Sequence, residues 1–135
     1  MFSKSYIEKC IKHRSEIDSL VLIQRGQFQT IQPPIPRFRE GDYFNHPKMG
    51  KGLFGRIAKV AQTSVYAENQ SNLSYKEDEC ILIPTENQLY EIIEANNFSI
   101  DDSQKGKGPE ALLDWYISER YEATIKLGAR GRAAG

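Results

Sequence analysis

An α+β domain is what the sequence predicts: a short antiparallel sheet of about three to five strands, flanked by an N-terminal helix and two C-terminal helices. Three observations lead there. Apolar residues recur at helical spacing near both ends of the chain. The middle, residues 41–83, instead carries short apolar and aromatic runs broken by Gly, Asn and Pro. The helical stretches also open on start signals, two Ser/Thr-x-x-Glu/Gln boxes and one proline.

In chain order, Ser5-x-x-Glu8 reads as a capping box and sets a helix start near Ser5. Ile7, Cys10, Ile11, Ile17 and Val21 then supply one apolar face as far as a stop near Gly26. Pro33, Pro34 and Pro36 exclude helix and central strand and favour an extended connector. Pro33-x-x-Pro36 beside Arg37 also fits an SH3-type ligand, a match that is common by chance. Asp42–Asn45 is a short strand after the Glu40-Gly41 turn, and residues 46–52 form a glycine-rich connection. Leu53, Phe54, Ile57 and Val60 make a strand whose spacing is less regular than strict alternation, and Ser64–Ala67 continue it or begin another. After a turn at Asn69–Asn72, Leu73–Tyr75 pair back, and Cys80–Ile83, closed by Pro84, fit a buried strand. Thr85-x-x-Gln88 is a second capping box, opening a helix with Leu89, Ile92 and Ile93 that ends near Asn96-Asn97. Residues 99–108 read as a solvated loop. Pro109 sits at the favoured first position of a last helix, with Leu113, Trp115, Tyr116 and Ile117 on its packed side and Gly128 as its stop.

Length and composition bound the function classes. The 135 residues suit one domain, 1–128, followed by a disordered tail, 129–135. Hydrophobic residues at 39% and charged residues at 27% are a globular mixture, which sets the chain apart from disordered sequences. The longest apolar runs, Leu20–Ile23 and Cys80–Ile83, are far short of a membrane span, and the N-terminus lacks a signal-peptide pattern, so the expected location is the cytoplasm. Cys10 and Cys80 make neither a disulfide framework nor a zinc module and read as buried small hydrophobes. Net charge is zero, yet residues 1–66 hold 11 Lys/Arg against 5 Asp/Glu and residues 67–135 hold 7 against 13, balances of +6 and −6. Either the folded surface has a basic and an acidic side, or folding mixes the charges.

Gly50-Lys51-Gly52-Leu53-Phe54-Gly55 matches Gly-x-Gly-x-x-Gly, but strand follows it where a dinucleotide fold needs helix, so a hairpin turn is the simpler reading. Gly41-Asp42-x-x-x-His46-Pro47-x-x-Gly50-x-Gly52 resembles the opening of SH3-like or Tudor-like modules of CarD type; that resemblance implies a contact with RNA polymerase. Gly41-Asp42-Tyr43, a β-meander, Ile83-Pro84-Thr85-x-x-Gln88-Leu89 and a closing helix together resemble a group of uncharacterised small phage and prophage proteins, which implies no activity for any residue.

Arg37, Arg39, Lys48, Lys51, Arg56 and Lys59 alternate with Phe38, Tyr43, Phe44 and Phe54. Cations interleaved with aromatics are what nucleic-acid binding uses, although a sheet core with solvated cations looks the same in sequence. His46, four residues from Asp42, has the makings of a general base oriented by a carboxylate, or of a turn histidine that caps backbone groups. Cys10 and His13 are half of a metal site with no second pair in view. Glu77-Asp78-Glu79 and Asp101-Asp102 lack the spacing of a calcium loop.

These residues point to a non-enzymatic binding or accessory protein with no assigned catalytic residue, cofactor or metal. Its candidate surface is His46, Lys48, Gly50, Lys51, Gly52, Arg56 and Lys59: the glycines allow close backbone approach and the cations favour an anionic partner. The partner is a protein or a second copy of the chain, with nucleic acid on the 37–59 segment as the alternative and a small hydrolase or transferase centred on His46 and Asp42 as a third reading. On this reading His46→Ala leaves stability nearly unchanged, whereas Trp115→Ala costs ~3 kcal/mol as a core deletion.

Overall fold

Ser3, not Ser5, starts the first helix. Its side chain accepts the Tyr6 N–H at 3.0 Å, and the helix α1 runs Lys4–Lys12. Ser5 lies one residue inside it, and both serines donate to Glu110, Ser3 at 3.1 Å and Ser5 at 2.6 Å. The computed structural model describes residues 2–25, 38–70 and 73–120. The proline segment with Arg37, the stops at Gly26 and Gly128, part of the 69–72 turn and the 129–135 tail lie outside the described residues.

The single N-terminal helix expected from sequence is two. His13 takes a non-helical conformation and caps α1, and α2 follows at Arg14–Arg25. A break of one residue barely disturbs the helical period. Tyr6, Ile7 and Cys10 on α1 and Ile17, Leu20 and Val21 on α2 therefore still read as one apolar stripe.

Five strands follow: β1 Tyr43–Asn45, β2 Gly55–Ala61, β3 Ser64–Ala67, β4 Tyr75–Lys76 and β5 Ile81–Leu82. They form one antiparallel sheet in the order β4-β3-β2-β1-β5, so the two shortest strands are its edges. Two-residue edges give little template for pairing with another chain.

The irregular apolar spacing of β2 has a definite cause. Opposite β3, Ile57 pairs with Ala67 and Lys59 with Tyr66, which leaves Ala58 as an extra residue, a β-bulge. In a regular strand, residues 57 and 59 share a face. The bulge turns Ile57 inward to the core and Lys59 outward, and the ladder then resumes with Val60 opposite Val65.

Helix α3 spans Glu86–Ala95 and carries the predicted capping box, with Gln88 N–H donating to Thr85 at 3.2 Å and Thr85 N–H to the Gln88 side chain at 2.9 Å. Asn96 caps its end and Asn97 turns the chain with φ 61°. Helix α4 runs from 109 to the last described residue, 120. The architecture is α+β. Its core lies between the helices and the inner sheet face, where Phe44, Ile57, Val65, Tyr75 and Leu82 meet Ile7, Ile17, Leu20, Leu89, Ile92, Leu112 and Leu113. No helix among the described residues is long and apolar enough to cross a membrane.

Candidate nucleic-acid interface

Residues 38–59 split into polar groups that turn inward and cations that turn outward. Inward, Asp42 is 3% exposed. Its carboxylate accepts both terminal nitrogens of Arg25, at 2.5 and 3.0 Å, the Arg39 N–H at 2.9 Å and the Gln88 side chain at 2.9 Å. A buried charge is tolerated only when paired and hydrogen-bonded, and this carboxylate ties the end of α2, the turn before β1 and the start of α3 together. Asn45, also buried, donates to Gly50 O and Leu53 O at 2.9 and 2.7 Å and so pins the glycine-rich loop over β1.

His46 is 2% exposed and stacked on Tyr75, with ring centroids 4.9 Å apart. Its Nδ1 accepts the Lys48 N–H at 3.1 Å and caps the 3₁₀ turn Pro47–Met49. That bond leaves the proton on Nε2, which donates to Glu79 Oε1 at 3.1 Å. Both nitrogens are thus engaged, and no hydrogen bond joins His46 to Asp42, the contact that a base and its orienting carboxylate need. The backbone-capping role is the one the geometry displays. Of the candidate surface, His46 is therefore placed inside the fold. Gly50, with φ 95°, ends the 3₁₀ turn in a conformation that favours glycine. Gly55 packs so closely on Phe44 and Met49 that a Cβ there would lie 3.2 and 3.1 Å from their side chains.

The two cysteines lie inside the fold too. Cys10 and Cys80 are buried, and burial pushes each thiol up to about 12, which removes the thiolate needed for nucleophilic or metal chemistry near neutral pH. Among the described residues no group of three or more His, Cys, Asp or Glu is placed to hold a metal ion.

Outward, Lys48, Lys51, Arg56 and Lys59 are all exposed. The outer sheet face presents Tyr43, half-buried against Phe2 and Phe54, with Arg56 as a cross-strand pair, Lys59 opposite Tyr66, and Lys76 opposite Ser64. The Arg56 guanidinium lies 5.7 Å from the Tyr43 ring centre and the Lys59 ammonium 5.3 Å from that of Tyr66. Such cation–π contacts hold a positive charge and a flat apolar surface side by side. Glu68 is the nearby anion, 3.8 Å from Arg56, and the bulge at Ala58 opens a groove of about 390 Å³ between Lys59, Tyr66, Glu68 and Asn69.

Tyr66 and Lys76 escape a reading of the sequence as a basic-aromatic segment ending at residue 59. The signal for Tyr66 is there, between the buried Val65 and Ala67, but it becomes legible only once strand register is known. Folding partly mixes the charge of the two halves, through Lys9 with Glu110 and Asp114 and Arg56 with Glu68.

No protein-family model matches the chain, and comparison with characterised proteins and with solved structures likewise finds no match.

Proposed function

We propose that this protein is a non-enzymatic binding factor that holds single-stranded nucleic acid on the open face of its sheet. The observation that supports this reading is the pairing, on the outer sheet face, of half-buried tyrosine rings with exposed basic side chains: Tyr43 with Arg56 and Tyr66 with Lys59, beside Lys76. Rings offer stacking to unpaired bases, and the cations neutralise the phosphates between them. Both sheet edges are only two residues long, so strand addition by a peptide is a poorer fit. Leu53, 60% exposed beside Phe54, favours the rival reading, a protein partner or second copy on the same surface.

Fluorescence anisotropy with labelled single- and double-stranded DNA and RNA at low and moderate salt tests the proposal. Single strands are expected to bind more tightly than duplexes, and affinity is expected to fall steeply with salt. Tyr66→Ala should weaken binding by roughly tenfold, the loss of one stacked base. Arg56→Ala/Lys59→Ala should lower the salt slope by about 1–1.5. No binding of any oligonucleotide at low salt would overturn the proposal and leave the protein-interaction reading, to be followed by sedimentation analysis for self-association.

A further inference from the structure

A second cationic surface lies where α1 meets the glycine-rich loop. Lys4, Glu8 and Lys12 are spaced four residues apart and share one face of the helix. Lys51 faces them from the loop, and Glu8, Ile11, Lys12 and Lys51 line a groove of about 330 Å³. The Lys4 side chain lies directly on Gly52, where a Cβ would come within 2.7 Å of its Cγ. Among the described residues no ion pair ties Lys4, Lys12 or Lys51 to a carboxylate. Lys9, by contrast, is committed to Glu110 at 2.9 Å and Asp114 at 2.8 Å. Two uncommitted lysines, Lys12 and Lys51, thus line the groove with one anion, Glu8, and Lys4 lies beside it on Gly52.

This groove adjoins the sheet face through a cluster of rings. Phe2 lies 5.1 Å from Tyr43 and 5.0 Å from Phe54, and Tyr43 carries the Arg56 guanidinium. We infer that a bound single strand continues from the sheet face across Phe2, Tyr43 and Phe54 and delivers its backbone phosphates to the groove of Lys12 and Lys51, with Lys4 beside it. The inference rests on the nucleic-acid reading above and extends its footprint. The groove has no aromatic lining, so it takes phosphate charge and reads no base; lysine ammonium groups suit that task as mobile point charges. Glu8 sits where it repels the same phosphates.

The test uses oligothymidylates of about five and about fifteen nucleotides, short enough to occupy the sheet face alone or long enough to reach the groove. Wild type is compared with Lys4→Gln/Lys12→Gln/Lys51→Gln, with Glu8→Gln and with Arg56→Ala/Lys59→Ala; circular dichroism checks that each is folded. The triple lysine variant is expected to bind the long strand about tenfold more weakly, with a salt slope lower by about 2, and to bind the short strand as wild type does. Glu8→Gln is expected to tighten the long strand by about twofold to fivefold, a change of opposite sign that general damage to the fold does not produce. If the triple variant and Glu8→Gln leave the long strand unchanged while Arg56→Ala/Lys59→Ala weakens it, the footprint ends on the sheet and this inference fails with the proposed function intact. If wild type binds neither strand, both fall together.

Discussion

Asp42 and Lys59 lie within one short β-region and carry opposite lessons. Asp42 is buried with four hydrogen bonds turned onto its carboxylate, from Arg25, Arg39 and Gln88. Lys59 is exposed, and the bulge at Ala58 directs it onto the outer face over Tyr66. Residue type suggests chemistry for both, but burial decides which side chain has unfilled bonding capacity. A carboxylate whose lone pairs are spent inside the fold is scaffold, and so is a histidine with both nitrogens engaged. Charges left without partners at the surface are what a ligand meets.

The sharpest way to break this comparison is to remove the inward hub. Asp42→Ala removes the buried carboxylate that Arg25, Arg39 N–H and Gln88 all donate to, and is expected to cost about 3–5 kcal/mol in urea unfolding. A loss under ~1 kcal/mol would mean that the hub is not structural. His46→Ala comes next. It removes the acceptor for Lys48 N–H and a ring packed on Tyr75, for an expected loss of about 2 kcal/mol. Trp115→Ala should cost less than the ~3 kcal/mol of a full core deletion, about 1–2 kcal/mol, because Trp115 is only half-buried, edge-on to Phe98. These expectations reverse the order read from the sequence, and thermal melts of the two variants in one buffer decide it.

A smaller effect comes from Asp18, which burial pushes up to about 6 from its ordinary 3.8 despite Arg14 at 3.4 Å. Its raised folded value means that the native chain holds this proton more tightly than the unfolded chain. The resulting stabilisation is fully present below the ordinary aspartate range and is lost as pH rises through about 6. Asp18→Asn is expected to flatten the melting temperature between those limits and to stabilise the protein at neutral pH by about 1 kcal/mol, since the lost Arg14 contact offsets part of the gain. Unchanged pH dependence of the melts would show that Asp18 titrates normally. At the bottom of the scale, Arg56→Ala/Lys59→Ala should change stability by no more than ~0.5 kcal/mol, even as it weakens oligonucleotide binding.

Much of the fold was legible because local rules acted alone. The Thr85/Gln88 capping box, the Asn96-Asn97 stop and the proline opening α4 need no tertiary partner to be recognised, and each stands where its residues place it. Ser3 and Ser5 are both plausible caps in the sequence, and the choice goes to the hydroxyl that reaches a free N–H: both donate to Glu110 of α4, but Ser3 also accepts from Tyr6 N–H. The break at His13 escaped notice because a one-residue interruption preserves the apolar period. Of the candidate surface, Lys48, Lys51, Arg56 and Lys59 are outward as their charge requires, while His46, which reads as a turn residue, is buried.

By itself, then, the sequence determined the α+β class, the positions of most elements and the residue types available for an anionic partner, because period, caps and charge are local properties of the chain. Tertiary structure alone decided which of those residues are spent and which are free. That choice depends on a bulge that reverses one strand face, on Arg25, Arg39 and Gln88 converging on Asp42 from separate parts of the chain, and on Phe2 bringing α1 beside the sheet. These are contacts between residues distant in sequence, and no local pattern encodes where they meet.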